Sequence, residues 1–355
     1  MFIGGGARPV GGGQAGGEQS GGTQSDGVQS GGVQAGADQS RRAELALVPA
    51  AGYELETIRV EPLHRGRPVK AIHAALLDAL AVRSAWRILS AFGPGAVIGA
   101  GGYAAGPVGL AAVLRRVPLV LTEADSHLGL TNRLLAPFAR RVCLAFEIAG
   151  RDGPRYQVTG RPVPPPATDR AAARARFRID PRATCVLVFG GSQGARSINH
   201  AAIEAFAGAH FHVLHAAGVR DLADLEAPGA HYDLRGYIPS FGEALLASDL
   251  VVARAGGSIF EIAAYGRPAV LIPYPHAAGD HQTANASYME RAGAAVLIPD
   301  AECSGPRLAQ EVGGLLADRG RLTSMARASA ALARPDAARA IASEVLASAR
   351  CSGAQ

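Results

Sequence analysis

Two stretches in the second half of the chain share one pattern. CVLVF (185–189) runs straight into GGSQG (190–194), and VVAR (251–254) runs through Ala255 into GGSIFE (256–261). A short unbroken apolar run bounded by glycines reads as a strand buried on both faces, and a helical pattern follows each glycine loop. Repetition of strand, tight loop and helix constrains the fold more than any other feature, because parallel strands need helical crossovers that cover both faces of the sheet. Further strand-helix units are expected from Phe211 to His215, Leu250 to Arg254 and Ala269 to Ile272, and the Ala-rich end from Pro306 to Arg350 reads as helical.

The first half repeats the pattern less regularly. Leu55 to Val60, Ala96 to Ile98 and Leu119 to Thr122 read as strands, and Val69 to Phe92 as a long helix with Ile72, Leu76, Leu80 and Leu89 in register. The uncharged run Ala91–Leu114 has the length of a membrane span, but Gly93-Pro94-Gly95, Gly101-Gly102 and Gly106-Pro107 divide it. The expected architecture is α/β, two doubly wound Rossmann-like domains facing a cleft, with the N-terminal one incomplete. Its segments are a low-complexity stretch 1–42, a first domain 43–161, a Pro-rich linker 162–183, a second domain 184–335 and a C-terminal helix and tail 336–355. Residues 11–40 are six Gly/Gln/Ser-type pentads with too few apolar side chains to offset the entropy of ordering, so disorder is expected there.

Charge is unevenly distributed. Residues 41–183 carry 21 Arg and Lys against 11 Asp and Glu, whereas the whole chain is only +5. A basic first domain points to an anionic surface or substrate. Arg65, Arg67, Lys70, Arg83, Arg87, Arg115, Arg116, Arg140 and Arg141 flank apolar helical stretches, and Trp86 is a candidate interface residue. No nucleic-acid recognition module accompanies the charge, and no nucleic-acid partner is expected. The four cysteines are scattered without metal-ligand spacing, so reduced thiols and no metal are expected, as is no cofactor.

Each glycine loop has a plain alternative as an ordinary tight turn. GGSQG lacks the GxGxxG spacing of a dinucleotide fold and no GK[ST] follows it. Gly256, Gly257 and Ser258 offer N–H donors and a hydroxyl to a diphosphate, and Glu261 offers a carboxylate to a ribose diol. A first-turn glutamate favoured by the helix dipole would look the same. In DHQTANA (280–286), Gln282 and Asn285 stand three apart with amides facing one way, toward sugar hydroxyls.

Taken in order, GGSQGARSIN, RAGGSIFEIAAYGRP and DHQTANA resemble the C-terminal domain of the MurG-type UDP-N-acetylglucosamine transferases, which have the GT-B fold. LVPAAGYELE (47–56), GGYAAGPVGLAA (101–112) and GLTNRLLA (129–136) are similar to the acceptor domain of that family. The resemblance spans residues 43 to 350. It implies inverting, β-1,4 transfer of GlcNAc from UDP-GlcNAc to lipid I, the undecaprenyl-diphosphate-linked muramoyl pentapeptide, to give lipid II. The expected location is the cytoplasmic face of the cell membrane, peripherally bound to an anionic surface. For the donor, the resemblance implies Asp125, Arg161, Ser192, Ile238, Gly256, Gly257, Ser258, Glu261 and Gln282. Gly101, Gly102 and Tyr103 would receive the acceptor diphosphate, and Glu123 and His127 are the candidates for the base that inverting transfer requires.

The sequence departs from the family pattern in several places. The family's HEQN reads Thr122-Glu123-Ala124-Asp125 here, and its GNPVR reads Gly160-Arg161-Pro162-Val163-Pro164. The family opens with a strand, a GGTGGH loop and a helix that residues 1–42 do not match, and MFIGGGAR (1–8) is similar to its second strand. On this reading roughly thirty residues, one strand-helix unit, are expected upstream. The alternative is a catalytically inactive relative that binds UDP-GlcNAc and has lost the acceptor loop.

Overall fold

The computed structural model describes residues 1–5, 45, 47–60, 68–191 and 193–352. The pentads, Arg65, Arg67 and Ser192 lie outside the described residues. The strands within them are β1 (Phe2–Gly5), β2 (Leu55–Ile58), β3 (Val97–Gly99), β4 (Leu119–Glu123), β5 (Arg141–Leu144), β6 (Tyr156–Val158), β7 (Cys185–Phe189), β8 (His212–Ala216), β9 (Tyr232–Arg235), β10 (Leu250–Ala253), β11 (Ala269–Leu271) and β12 (Ala295–Leu297). The helices that accompany these strands are α1 (Pro68–Phe92), α2 (Gly102–Leu114), α3 (Leu130–Leu135), α4 (Arg170–Arg176), α5 (Arg196–Ala205), α6 (Phe241–Ala247), α7 (Ile259–Ala264), α8 (His281–Arg291), α9 (Gly305–Ala317), α10 (Arg319–Ala331) and α11 (Ala337–Ser352).

The chain divides into two compact units. One comprises Met1–Glu123, Leu128–Val142 and Ser343–Gln355, and the other Ala124–His127 and Cys143–Ala342. The second is built on a six-stranded sheet of order β12-β11-β10-β7-β8-β9, with every pairing parallel. This order runs outward in both directions from adjacent strands β7 and β10, so the connections leaving those two strands go to opposite sides. That is the topological switch point of a doubly wound sheet, where ligands bind beyond the strands' carboxyl ends. The residues of β7 and β10 are all buried, as strands covered on both faces require. Two apolar clusters flank this sheet. One gathers Leu187, Phe189, Leu245, Val251 and Ile262, the other Val188, Ile198, Val213, Val252 and Leu308.

Within the stretch expected as a linker, Asp169 caps α4 through Ala172 N at 2.9 Å, and α4 packs on α6. Arg170 pairs with Asp249 at 2.6 Å. In the first unit β1 pairs in parallel with β2, Phe2 opposite Leu55, as expected for a strand at MFIGGGAR. Separately β3 pairs in parallel with β4 in a sheet ordered β3-β4-β5-β6. Helix α2 packs against both β1 and β3. The end of α11 belongs to this unit, where Glu344 accepts from Arg141 Nε at 2.6 Å. Among the described residues no helix is long and apolar enough to cross a membrane.

The GGSQG loop is pressed against the loop after β8. Gly194 has φ +78°, and a Cβ on it would overlap the carbonyl of Ala217; a Cβ on Gly218 would stand 2.6 Å from Gly194 Cα. Two backbones meet there with no room for a side chain. Replacing Gly194 by Ala is expected to destabilise the protein by about 2 kcal/mol or more. Gly313→Ala, on α9 with nothing within 4 Å of the added methyl, is expected to be neutral or stabilising by up to about 1 kcal/mol. Urea unfolding of the two variants checks the contrast.

Candidate functional site

Beyond β10 the chain turns through Arg254, Ala255, Gly256, Gly257 and Ser258 into α7. Gly257 lies directly under the Arg161 guanidinium, closely enough that a Cβ would overlap Nη1. Arg161 also acts electrostatically on Glu261, one turn into α7: burial pushes the Glu261 carboxyl above its ordinary range, and the guanidinium draws it back. Gln282, at the start of α8, also comes near this loop, its Nε2 at 3.8 Å from where a Gly256 Cβ would be. Its Oε1 accepts from Tyr274 N at 3.0 Å, which fixes the side chain while leaving the amide donors available. Arg161, Gly256, Gly257, Ser258, Glu261 and Gln282, from separate stretches of sequence, therefore gather at the switch point. A diphosphate would meet bare backbone and a guanidinium there, and a diol would meet a carboxylate.

Asn285 does not join them, which corrects the expectation that it faces a sugar. The residue is 1% exposed, and its Nδ2 donates to Ala255 O at 3.0 Å. Position i+3 along α8 carries it inward under the glycine loop, so it supports the site from below. Ile238, at 2% exposure, has its side chain in the apolar core with Phe189 and Leu245. Asp125 and His127 fall in the short Ala124–His127 segment of the second unit. His127 is exposed, and its ring stacks over Gly279, where a Cβ would stand 2.8 Å from Nε2.

Sequence reasoning missed the residue that organises this region. Arg254 is 8% exposed, and its Nη1 donates to Asp300 Oδ1 at 2.6 Å and to the carbonyls of Ile272 and Pro273. Its Nη2 donates to Ser197 Oγ at 2.9 Å, and Ser197 donates in turn to Asp300 Oδ1 at 2.7 Å. One guanidinium thus ties the start of α5, the end of β11 and the loop carrying Tyr274, whose ring it faces at 5.5 Å. The signal was present, since an arginine ending a strand of valines must find carbonyls or a carboxylate.

A second polar group lies beneath the GGSQG loop. Asn199 Nδ2 donates to Ala217 O at 2.8 Å and to Asp221 at 2.9 Å, so its Oδ1 must be the acceptor facing His215 Nε2 at 3.0 Å. That assignment puts the proton on Nε2 and leaves Nδ1 to accept from the Tyr232 hydroxyl at 2.8 Å. The ring is then neutral, in keeping with burial holding its pKa down at about 4.

In the first unit Glu123 is buried at the end of β4. Its Oε2 accepts from Gly129 N at 2.9 Å and from Asn132 Nδ2 at 3.0 Å. Asn132 also donates to Thr122 O, and it lies 3.7 Å from where a Gly101 Cβ would be. Gly101 (φ +82°) and Gly102 (φ +79°) open α2, Thr131 Oγ1 donates to Gly102 O at 3.2 Å, and Tyr103 is half exposed. Glu123 thus ties the 129–132 segment to the end of β4 near the Gly101-Gly102 turn. Among the described residues no group of three or more His, Cys, Asp or Glu could hold a metal ion.

Arg254→Met is expected to cost about 3–5 kcal/mol by leaving the Asp300 carboxylate without its counter-charge, measured by urea unfolding. His215 has its folded pKa depressed, so its contribution is fully present above the unfolded value near 6.5 and is lost as pH falls through about 4. Unfolding free energy should therefore drop by up to about 3 kcal/mol between pH 7 and pH 4 through this residue. A His215→Gln variant should lack that part of the pH dependence.

The chain matches two family models, the glycosyltransferase family 28 N-terminal domain over residues 29–144 and the family 28 C-terminal domain over residues 185–341. It is 41% identical over 327 residues to the UDP-N-acetylglucosamine--N-acetylmuramyl-(pentapeptide) pyrophosphoryl-undecaprenol N-acetylglucosamine transferase of Moorella thermoacetica, covering 86% of this chain and 88% of that one. It is 38% identical to the protein of the same name from Rubrobacter xylanophilus, covering 86% and 93%. Among solved structures, the Acinetobacter baumannii MurG crystal structure superposes with TM-score 0.69 at 28% identity, over 85% of this chain and 88% of that one. The calicheamicin glycosyltransferase CalG4 shares the fold at TM-score 0.61 and 19% identity, over 86% and 88%. With both family 28 domains matched and relatives this similar across most of its length, the chain belongs to the MurG family of GT-B UDP-N-acetylglucosamine transferases.

Proposed function

We propose that this chain transfers GlcNAc from UDP-GlcNAc to the muramoyl sugar of undecaprenyl-diphosphate-linked pentapeptide, lipid I, forming lipid II with inversion. The observation that carries the donor half is the convergence of Arg161, Gly257, Glu261 and Gln282 at the switch point of the second sheet. On this reading Glu261 accepts from the ribose hydroxyls, Gln282 donates to the sugar, and Arg161 with the Gly256–Ser258 backbone neutralises the leaving diphosphate. Leaving-group stabilisation of that kind is electrostatic, supplied by donors already aimed at the developing charge. Ser192 and the main chain of Ile238 complete the donor site, with Asp125 beside it, and Gly101, Gly102 and Tyr103 take the acceptor diphosphate.

The attacking hydroxyl must lose its proton to a base, for which Glu123 and His127 are the candidates. A Glu123→Gln variant keeps an acceptor oxygen for Gly129 N and Asn132, so turnover is expected to stay within several-fold of the parent protein. A loss of about 10²–10⁴ in kcat would instead assign Glu123 as the base, and the same loss in His127→Ala would assign His127. On the donor side, Glu261→Gln and Gln282→Ala are each expected to raise the KM for UDP-GlcNAc about 10- to 100-fold, the worth of a hydrogen bond to a charged or buried group. Gly257→Ala should do the same at little cost to stability, because the methyl displaces only the movable end of Arg161.

For the first unit we propose peripheral binding to an anionic membrane at the cytoplasmic face. Leu110, Leu114, Leu130, Leu134 and Phe138 are exposed on α2, α3 and the turn after α3, with Arg115, Arg116, Arg133 and Arg140 on the same short segments. Trp86 is also partly exposed, stacked by Arg115 at 5.1 Å. A Leu134→Glu/Phe138→Glu pair is expected to weaken binding to phosphatidylglycerol-containing vesicles at least about tenfold. Binding by the parent protein should also fall as salt rises; unchanged co-sedimentation of the variant would remove this surface from the proposal.

A further inference from the structure

The crevice at the switch point of the second sheet has two walls, the GGSQG loop after β7 and the Gly256–Ser258 loop after β10. On the β10 side the Arg161 guanidinium lies over Gly257. On the β7 side a second guanidinium reaches the loop. Arg220, in the turn after β8, donates to the carbonyl of Gln193 from Nε at 3.3 Å and from Nη2 at 3.1 Å. The backbone on either side of Arg220 is anchored. Ala217 O and the Asp221 carboxylate both accept from Asn199 Nδ2, and Gly218 meets Gly194 backbone to backbone. The Arg220 side chain, by contrast, is exposed.

Its electrostatic surroundings set Arg220 apart from other arginines at this end of the sheet. Arg196, which opens α5, pairs with Asp224 at 3.4 Å. Arg235, which ends β9, pairs with Asp233 at 2.6 Å, and Arg254 with Asp300 at 2.6 Å. Arg220 has a neutral carbonyl instead, and among the described residues no carboxylate pairs with it. The acidic residues that follow it in sequence are engaged elsewhere, Asp221 with Asn199 and Asp224 with Arg196. A carbonyl accepts hydrogen bonds without neutralising a charge, and the contact with Gln193 leaves the Nη1 donors over. Bracing the loop would need a donor only, and a neutral side chain could supply it. An unneutralised guanidinium beside a glycine loop has a preferred complement, the oxygens of a phosphate or diphosphate, which take its planar fork of N–H groups. We propose that Arg220 is a second diphosphate-binding arginine of the donor site, serving the β7 wall of the crevice as Arg161 serves the β10 wall. This rests on the reading of the crevice as the UDP-GlcNAc site. Each glycine loop then brings one guanidinium to the diphosphate, and the two share its charge.

The test titrates the full chain and its Arg220→Ala, Arg220→Gln and Arg220→Lys variants with UDP, by calorimetry, and with uridine, by NMR. Arg220→Ala is expected to weaken UDP binding about 5- to 50-fold, the worth of a charge-assisted hydrogen bond near the surface, and to leave uridine within about twofold. Arg220→Gln can still donate to the Gln193 carbonyl but carries no charge, so it is expected to bind UDP as weakly as Arg220→Ala. Arg220→Lys keeps the charge and loses the fork, and should come within about threefold of the parent protein. UDP binding by the parent should also fall more steeply with added salt than binding by Arg220→Ala. Because the side chain is exposed, the urea midpoints of all four proteins should coincide. UDP binding by Arg220→Ala within about twofold of the parent overturns the proposal. So does recovery of UDP binding in Arg220→Gln, or uridine weakened as much as UDP, because either result makes Arg220 a brace for the loop and nothing more. A parent protein that binds no UDP overturns the donor reading itself, and the assignment of Arg220 with it. A parent that binds UDP beside variants that bind it equally well overturns the assignment alone.

Discussion

The donor region depends on one buried cation. Arg254 leaves the end of a fully buried strand and makes its bonds to Asp300, Ser197 and two main-chain carbonyls, all within the second unit. Burial of a guanidinium costs several kcal/mol, and only near-complete hydrogen bonding offsets it. Replacing Arg254 and Asp300 together by apolar residues would change stability little, whereas removing the arginine alone strands the carboxylate. What the arginine confers is position: the start of α5, which follows the GGSQG loop, and the loop ahead of α8, which carries Gln282, are referred to the same group. Asn199, Asn285 and the contact between Gly194 and Gly218 do the same job at shorter range, so the glycine loops are held by polar groups lying behind them.

This division of labour follows from the parallel sheet. Strands covered on both faces have no solvent side on which to place functional groups, so chemistry must sit in the loops at their carboxyl ends. Those loops are kept close to the ligand by having small residues, which leaves them without packing of their own. Gly257 illustrates the trade. Its missing side chain admits the Arg161 guanidinium, and the loop's rigidity is supplied by Asn285 bonding Ala255 from inside. Glu261 then feels both burial and the arginine, a pairing that keeps a carboxylate poised to accept hydrogen bonds in a partly dry site.

The first unit also carries small-residue turns beside its parallel strands. In the second, a central strand of buried residues unites the sheet. In the first, Phe2, Ile98 and Val108 line a cavity, and Gly101 and Gly102, proposed to receive the acceptor, open the helix beside it. Glu123 accepts from Gly129 and Asn132, and Asn132 in turn bonds Thr122 and comes near the Gly101 turn.

By itself the sequence determined the fold class and, to within a residue or two, four of the six strands of the second sheet, β7, β8, β10 and β11, but not the outer strands β9 and β12. Apolar runs, glycines and helical periodicity are local properties, read over a few positions. It did not distinguish Gln282 from Asn285, since spacing along a helix says that two side chains share a face but not which lies over the ligand and which lies under the loop. Nor did it mark Arg254, Asn199 or His215, whose partners lie well away along the chain and are brought near only by the parallel crossovers. The cavity in the first unit is lined by β1 and β3, which lie far apart in sequence. Those distant pairings are chosen by what the assembled sheet must bury and hydrogen-bond, and only the tertiary structure decides them.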